Sequence, residues 1–115
     1  MSELPVVTSA ENYFETLPER FVEKAAKGVK AVYQFELSGD GGGTWHVVID
    51  DGTMAIHTGG HDSPSATISA NADDYVKIVN GEINGRMAVF KGKMKVQGSI
   101  PAAMKMSKII PQRKK

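Results

Sequence analysis

Cysteine is absent from this 115-residue chain, which excludes disulfides, thiolate chemistry and cysteine zinc sites together. That absence fits a reducing compartment. Aromatic residues are scarce at 7%, with Trp45 the single tryptophan. No apolar run approaches the ~18 residues of a membrane span, and no secretory leader is expected, since no charged stretch followed by an apolar one is read. The final Arg113-Lys114-Lys115 differs from a Ser-Lys-Leu peroxisomal address, so a cytoplasmic protein is expected. Acidic residues are missing from residues 83–115, which hold nine lysines and arginines, while all 13 acids fall in residues 1–82. A net charge of +1 therefore hides two parts of opposite sign. Three readings fit this asymmetry: an anionic membrane surface, nucleic acid, or a solvated face. Nucleic acid is the weakest, because no aromatics alternate with the basic residues as stacking platforms. No nucleic-acid partner is expected.

The length supports one domain with a modest core, and a 41% hydrophobic content is that of an ordinary globular protein. The expectation is a single domain over residues 1–115, with 1–6 flexible and 111–115 a basic tail. Thr8-Ser-Ala-Glu11 reads as a capping box opening a helix with Tyr13, Phe14 and Leu17 on one side. Pro18 is expected to interrupt it and to restart a short turn carrying Phe21, Val22, Ala25 and Ala26, ended by Gly28.

Three strands follow. Asp51-Gly52 is a two-residue hairpin signal that pairs Ile49 with Met54, Val47 with Ile56 and His46 with His57. The glycine-rich loop at 39–43 closes a second hairpin, expected to pair Leu37 with Trp45, Phe35 with Val47 and Tyr33 with Ile49. Both registers put Tyr33, Phe35, Leu37, Trp45, Val47, Ile49, Met54 and Ile56 on one face, which a one-residue slip would expose. Residues 66–70 alternate as a fourth strand. Asn71 caps a helix with Tyr75, Ile78 and Val79, and Asn84 caps a shorter one with Met87, Ala88 and Phe90. Lys93-Met-Lys-Val-Gln97 reads as a fifth strand with Met94 and Val96 inside, and Ser99-Ile-Pro101 opens a last helix that Pro111 stops. The fold class is α+β: a five-stranded, mostly antiparallel sheet with helices on one face.

Catalytic patterns are weak. The glycine run enters a strand rather than the Lys-Ser/Thr helix start of a phosphate loop. His61-Asp62-Ser63 holds the residue types of a hydrolytic triad, but loop neighbours cannot form its geometry. The pairs Asp50-Asp51 and Asp73-Asp74 suit a turn and a helix start. The expected register would set Glu36, His46 and His57 side by side on the outer face, residue types that can hold a metal. A solvated face of cross-strand polar pairs suits them better, so no metal, cofactor or catalytic residue is assigned. Methionines cluster late, at Met87, Met94, Met104 and Met106, serving either as core filler or as an adaptable apolar binding surface.

From Val29 to Ile109 the chain resembles the sterol carrier protein domain family, of the non-specific lipid-transfer type. The likeness lies in Ala31-Val-Tyr-Gln-Phe-Glu-Leu-Ser-Gly39, Gly43-Thr-Trp45, Asn80-Gly-Glu-Ile-Asn84, Ala88-Val-Phe-Lys-Gly-Lys-Met-Lys-Val-Gln-Gly98 and Ala103-Met-Lys-Met106. Leu17-Pro-Glu-Arg-Phe21 is similar to prokaryotic single-domain members. Val89 and Pro101-Ala102 depart from the usual pattern, standing where a second aromatic and Gly-Leu are common. The resemblance implies an apolar tunnel between sheet and helices that binds fatty acyl chains, sterols or phospholipids. Its expected lining is Phe14, Phe35, Trp45, Val47, Ile78, Met87, Phe90, Met94 and Met104, each on the inner side of its element. Lys91, Lys93 and Lys95 are the expected contacts with an anionic membrane surface, made transiently. The expected function is lipid binding and transfer without catalysis; the alternative is a non-catalytic dimerisation or accessory domain. Monomer and weak dimer both remain open.

Overall fold

A computed structural model describes residues 6–111; the expectations for residues 1–5 and for the tail from Gln112 onward lie outside them. Helix α1 (Ala10–Arg20) starts one residue later than the Thr8 box implies. Ser9 is the cap, its hydroxyl accepting from the Asn12 amide, while Asn12 Oδ1 accepts in return from the Thr8 amide at 3.1 Å. Pro18 does not break the helix, contrary to expectation. Its missing amide falls where only two helical residues remain, and the buried Leu17 and Arg20 hold that last turn in place. Phe21 and Val22 are extended, and only the four-residue α2 (Glu23–Ala26) follows before the chain turns at Gly28.

Strands β1 (Lys30–Ser38), β2 (Gly43–Asp50), β3 (Thr53–Thr58), β4 (Ala66–Asn71) and β5 (Met94–Gly98) form one sheet in the order β3-β2-β1-β4-β5. Its pairs are antiparallel except β1 with β4. The β2–β3 register is the expected one, around a turn in which Asp51 (φ 46°) and Gly52 (φ 89°) both take positive φ. The β1–β2 register differs by two residues: Phe35 faces Trp45 and Leu37 faces Gly43. Glycines at positive φ let residues 39–42 close tightly, with the Gly42 amide donating to the Gly39 carbonyl at 3.0 Å. A two-residue shift preserves the alternation of faces, so all eight inner-face residues stay inside or half-inside.

Helices α3 (Ala72–Val79), α4 (Gly85–Phe90) and α5 (Ile100–Ile109) are capped by Asn71, Asn84 and Ser99, as their sequence positions imply. The core joins α1 to the sheet and α3 through aromatic rings. Phe14 stacks on Trp45 at 4.5 Å, and Phe35 meets Tyr13, Phe14 and Tyr75 edge-on at 6.3, 5.2 and 5.9 Å. Tyr33, raised in pKa by burial, donates its hydroxyl proton to the Ala102 carbonyl at 2.7 Å and ties α5 to β1. Asn80 fixes the N-terminal segment, accepting from the Val7 amide and donating to its carbonyl. At Gly98 (φ 96°) a Cβ would lie 2.6 Å from the Ser65 carbonyl oxygen, so only glycine fits where β5 meets the β4 entrance.

Candidate lipid-binding site

The nine expected lining residues lie on α1, β1, β2, α3, α4, β5 and α5, and their burial divides them into three groups. Phe35, Val47 and Ile78, with Phe14 beside them, are packed into the solid core. At the β3 side, Phe14, Trp45 and Ile56 floor an open groove of about 400 Å³, rimmed by Glu11, Glu15, His57 and Thr58. At the opposite side, Met94 on the edge strand β5 is half-buried, flanked by the two helices that precede and follow it in sequence. There Met87 is 47% exposed, Phe90 84% and Met104 67%, so these three do not point into the core as the inner-side assignment requires. Their helices are short or lie at the sheet edge, where one apolar face has no neighbour to cover it.

Trp45 and Met94 stand on strands separated by β1 and β4, about 14 Å apart at the usual ~4.8 Å strand spacing. The nine residues thus run from an open groove at Trp45 through a packed middle to exposed side chains on α4 and α5. The residue that the sequence reading missed is Ile100, exposed like Met87, Phe90 and Met104, while Met94 and Val96 on β5 pack half-buried against the core. Its position at the first turn of α5, one residue before Pro101, was the available clue.

The outer face carries no assembled metal trio. The corrected register puts Gln34, not Glu36, opposite His46. Glu36 instead accepts from Gln34 Nε2 at 2.7 Å. His46 and His57 stack at 5.0 Å, with His61 edge-on to His46 at 5.3 Å. Two of these rings hold the β3–β4 loop: His46 Nδ1 donates to the Gly59 carbonyl, and His61 Nδ1 accepts from the Ser63 amide. Among the described residues, no three His, Asp or Glu side chains are placed to share a metal ion. The His61-Asp62-Ser63 run is thus a loop turn held by the His61 ring and by the Gln34 side chain, whose Oε1 accepts from the His61 amide at 2.8 Å.

No helix among the described residues is long and apolar enough to cross a membrane. Lys91, Lys93 and Lys95 are exposed, next to or on β5.

The SCP-2 sterol transfer family model matches residues 12–111, and the chain belongs to that family. Mouse hydroxysteroid dehydrogenase-like protein 2 is 33% identical over 109 residues, covering 94% of this chain but 22% of the relative. The chain thus spans about a fifth of that protein's length. Among solved structures, sterol carrier protein domain 2 of Helicoverpa armigera is 25% identical with a TM-score of 0.68, over 84% of this chain and 83% of that one. Palmitated SCP2L2 of Aedes aegypti has the same fold, at 22% identity and a TM-score of 0.68, over 94% and 99% of the two chains. The α+β architecture, with its five-stranded sheet, is that of the family's domains.

Proposed function

We propose that this chain binds and transfers lipids bearing an acyl chain, without catalysing a reaction on them. The observation that carries the reading is the set of exposed apolar side chains on the two helices that pack against β5. Met87 and Phe90 on α4 and Ile100 and Met104 on α5 are exposed, and Met94 on β5 is half-buried against the core. Flexible, polarizable methionines suit a surface that admits chains of varied shape. Burying a ~16-carbon chain at ~0.8 kcal/mol per methylene gives a gross drive of about 12 kcal/mol, enough for micromolar binding after ordering costs. The packed middle group offers the ligand a continuation toward Trp45 if the side chains there part. Membership of the family supports this function, and the palmitated relative shows that the fold accommodates such a molecule in that protein.

Native mass spectrometry of the freshly purified protein is expected to show a monomer carrying lipid mass. An empty dimer would instead favour an accessory or dimerisation role, a reading supported by a relative in which the matching region is only 22% of the length. Titration with a fatty acid is expected to change Trp45 emission saturably, because the indole stacks on Phe14 at the floor of the open groove. No emission change alongside tight binding would confine the ligand to the β5 side.

A further inference from the structure

Strand β3 ends one side of the sheet and, among the described residues, pairs with β2 alone. Edge strands normally carry a charge, a proline or a bulge that keeps another strand from joining them. The opposite edge, β5, has Lys95 within it and Lys93 just before it. Strand β3 reads Thr53-Met-Ala-Ile-His-Thr58, with no proline, lysine or acid, and its pairing runs without a bulge. Its register tells which backbone groups are free. The Gly59 amide donates to the Thr44 carbonyl at 2.8 Å, and hydrogen-bonded pairs alternate along an antiparallel ladder. His57 and Ala55 therefore turn their backbone groups to β2, opposite His46 and Val48, while Thr58, Ile56 and Met54 turn theirs outward. Beside this edge runs the groove of about 400 Å³ floored by Phe14, Trp45 and Ile56. Glu11 and Glu15, exposed and one turn apart on α1, line its helix side, and no lysine or arginine is among its lining residues.

We propose that this edge captures an extended, basic peptide segment of a partner protein, which adds antiparallel to β3 and lays its side chains over the groove. The proposal goes beyond the lipid-binding reading and stands independently of it. The outward backbone groups of Met54, Ile56 and Thr58 supply the main-chain hydrogen bonds, and the groove supplies selection. A residue directly opposite Ile56 or Thr58 shares their face of the sheet, so its side chain points over the groove toward α1. Arginine suits that position: its stem lies on the apolar floor and its guanidinium reaches the glutamates at the rim. The spacings agree, since residues two apart on a strand lie about 6.8 Å apart and residues four apart on a helix, as Glu11 and Glu15 are, about 6 Å. Charge selects the occupant. Two β3 edges joined about a two-fold axis would bring the acidic rims of both copies together, whereas a basic strand meets them with opposite sign.

The test is fluorescence polarisation with a labelled synthetic peptide of about seven residues, an ordinary strand length, in which arginine alternates with threonine. It is expected to bind about tenfold more tightly than a peptide of the same composition with its arginines grouped together, and less tightly as salt rises. Methyl groups on the arginine amides, which face β3, should abolish binding, while methyl groups on the threonine amides, which face away, should leave it within about threefold. Glu11→Gln with Glu15→Gln should weaken it about fivefold, the scale of two exposed ion pairs. Thr58→Pro removes only an outward amide of an edge strand and should weaken it about fivefold too. The methylated peptides probe the same bonds on the unaltered protein, so the test stands even if the proline variant fails to fold. Equal binding of the two methylated peptides would mean attraction by charge alone and overturns the proposal, as does no binding of the unmethylated one. Concentration-dependent dimerisation lost in Thr58→Pro, without peptide binding, would give the edge to a second copy and overturn it as well.

Discussion

Substituting Met94 by lysine is expected to abolish binding of a fluorescent fatty acid while leaving the fold intact. Met94 is half-buried on the edge strand and packs against the core, while Met87, Phe90 and Met104 on the flanking helices are exposed. A lysine there can run its stem along the apolar wall and carry the ammonium out past the edge, so folding is spared. An acyl chain passing the same point would have to displace that ammonium's water or lie beside an unpaired charge, a cost of several kcal/mol. Against a net binding energy of about 8 kcal/mol for a micromolar complex, such a cost removes measurable affinity. Circular dichroism and thermal unfolding establish that the variant is folded. Unchanged affinity in a folded protein would take β5 out of the site.

Phe35→Ala is expected to cost about 3–5 kcal/mol of stability, most of the margin available to a domain of this size. The side chain is fully buried in the middle of β1 and meets rings from α1 and α3 on both sides, among them Phe14 at 5.2 Å and Tyr75 at 5.9 Å. Truncation would leave a ring-sized void between helices and sheet, which neighbouring strands cannot close without breaking their pairing. Urea unfolding followed at Trp45 measures the loss, since that indole reports on the same cluster. A loss below 1 kcal/mol would mean that the cluster is loosely packed and that this middle group opens readily. Phe35→Leu should recover most of the difference, because it restores volume without the edge-on ring contacts.

Much of this architecture follows from local chemistry. Asn71, Asn84 and Ser99 accept backbone protons at helix starts wherever they stand, and Asp51-Gly52 takes the backbone shape that a two-residue hairpin needs. The alternation along β1, β2 and β3 decided which residues face inward, and it survived the two-residue correction because face depends only on odd or even position. Pro18 shows where local reasoning stopped: its cost to a helix is real, but burial of Leu17 and Arg20 outweighs it. Likewise, Glu36 and His46 were separated by a two-residue shift in how the strands meet across the glycine-rich turn, which the alternation of faces does not specify.

The sequence by itself determined the elements, their inner faces, the family, and a basic last third beside late methionines, because caps, turns and alternation act over a few residues. Only the tertiary structure decided that β5 forms an edge, and hence that Met87, Phe90, Ile100 and Met104 remain uncovered rather than enclosed. Exposure depends on which distant elements arrive to cover a face, and strand order brings none to the far side of β5.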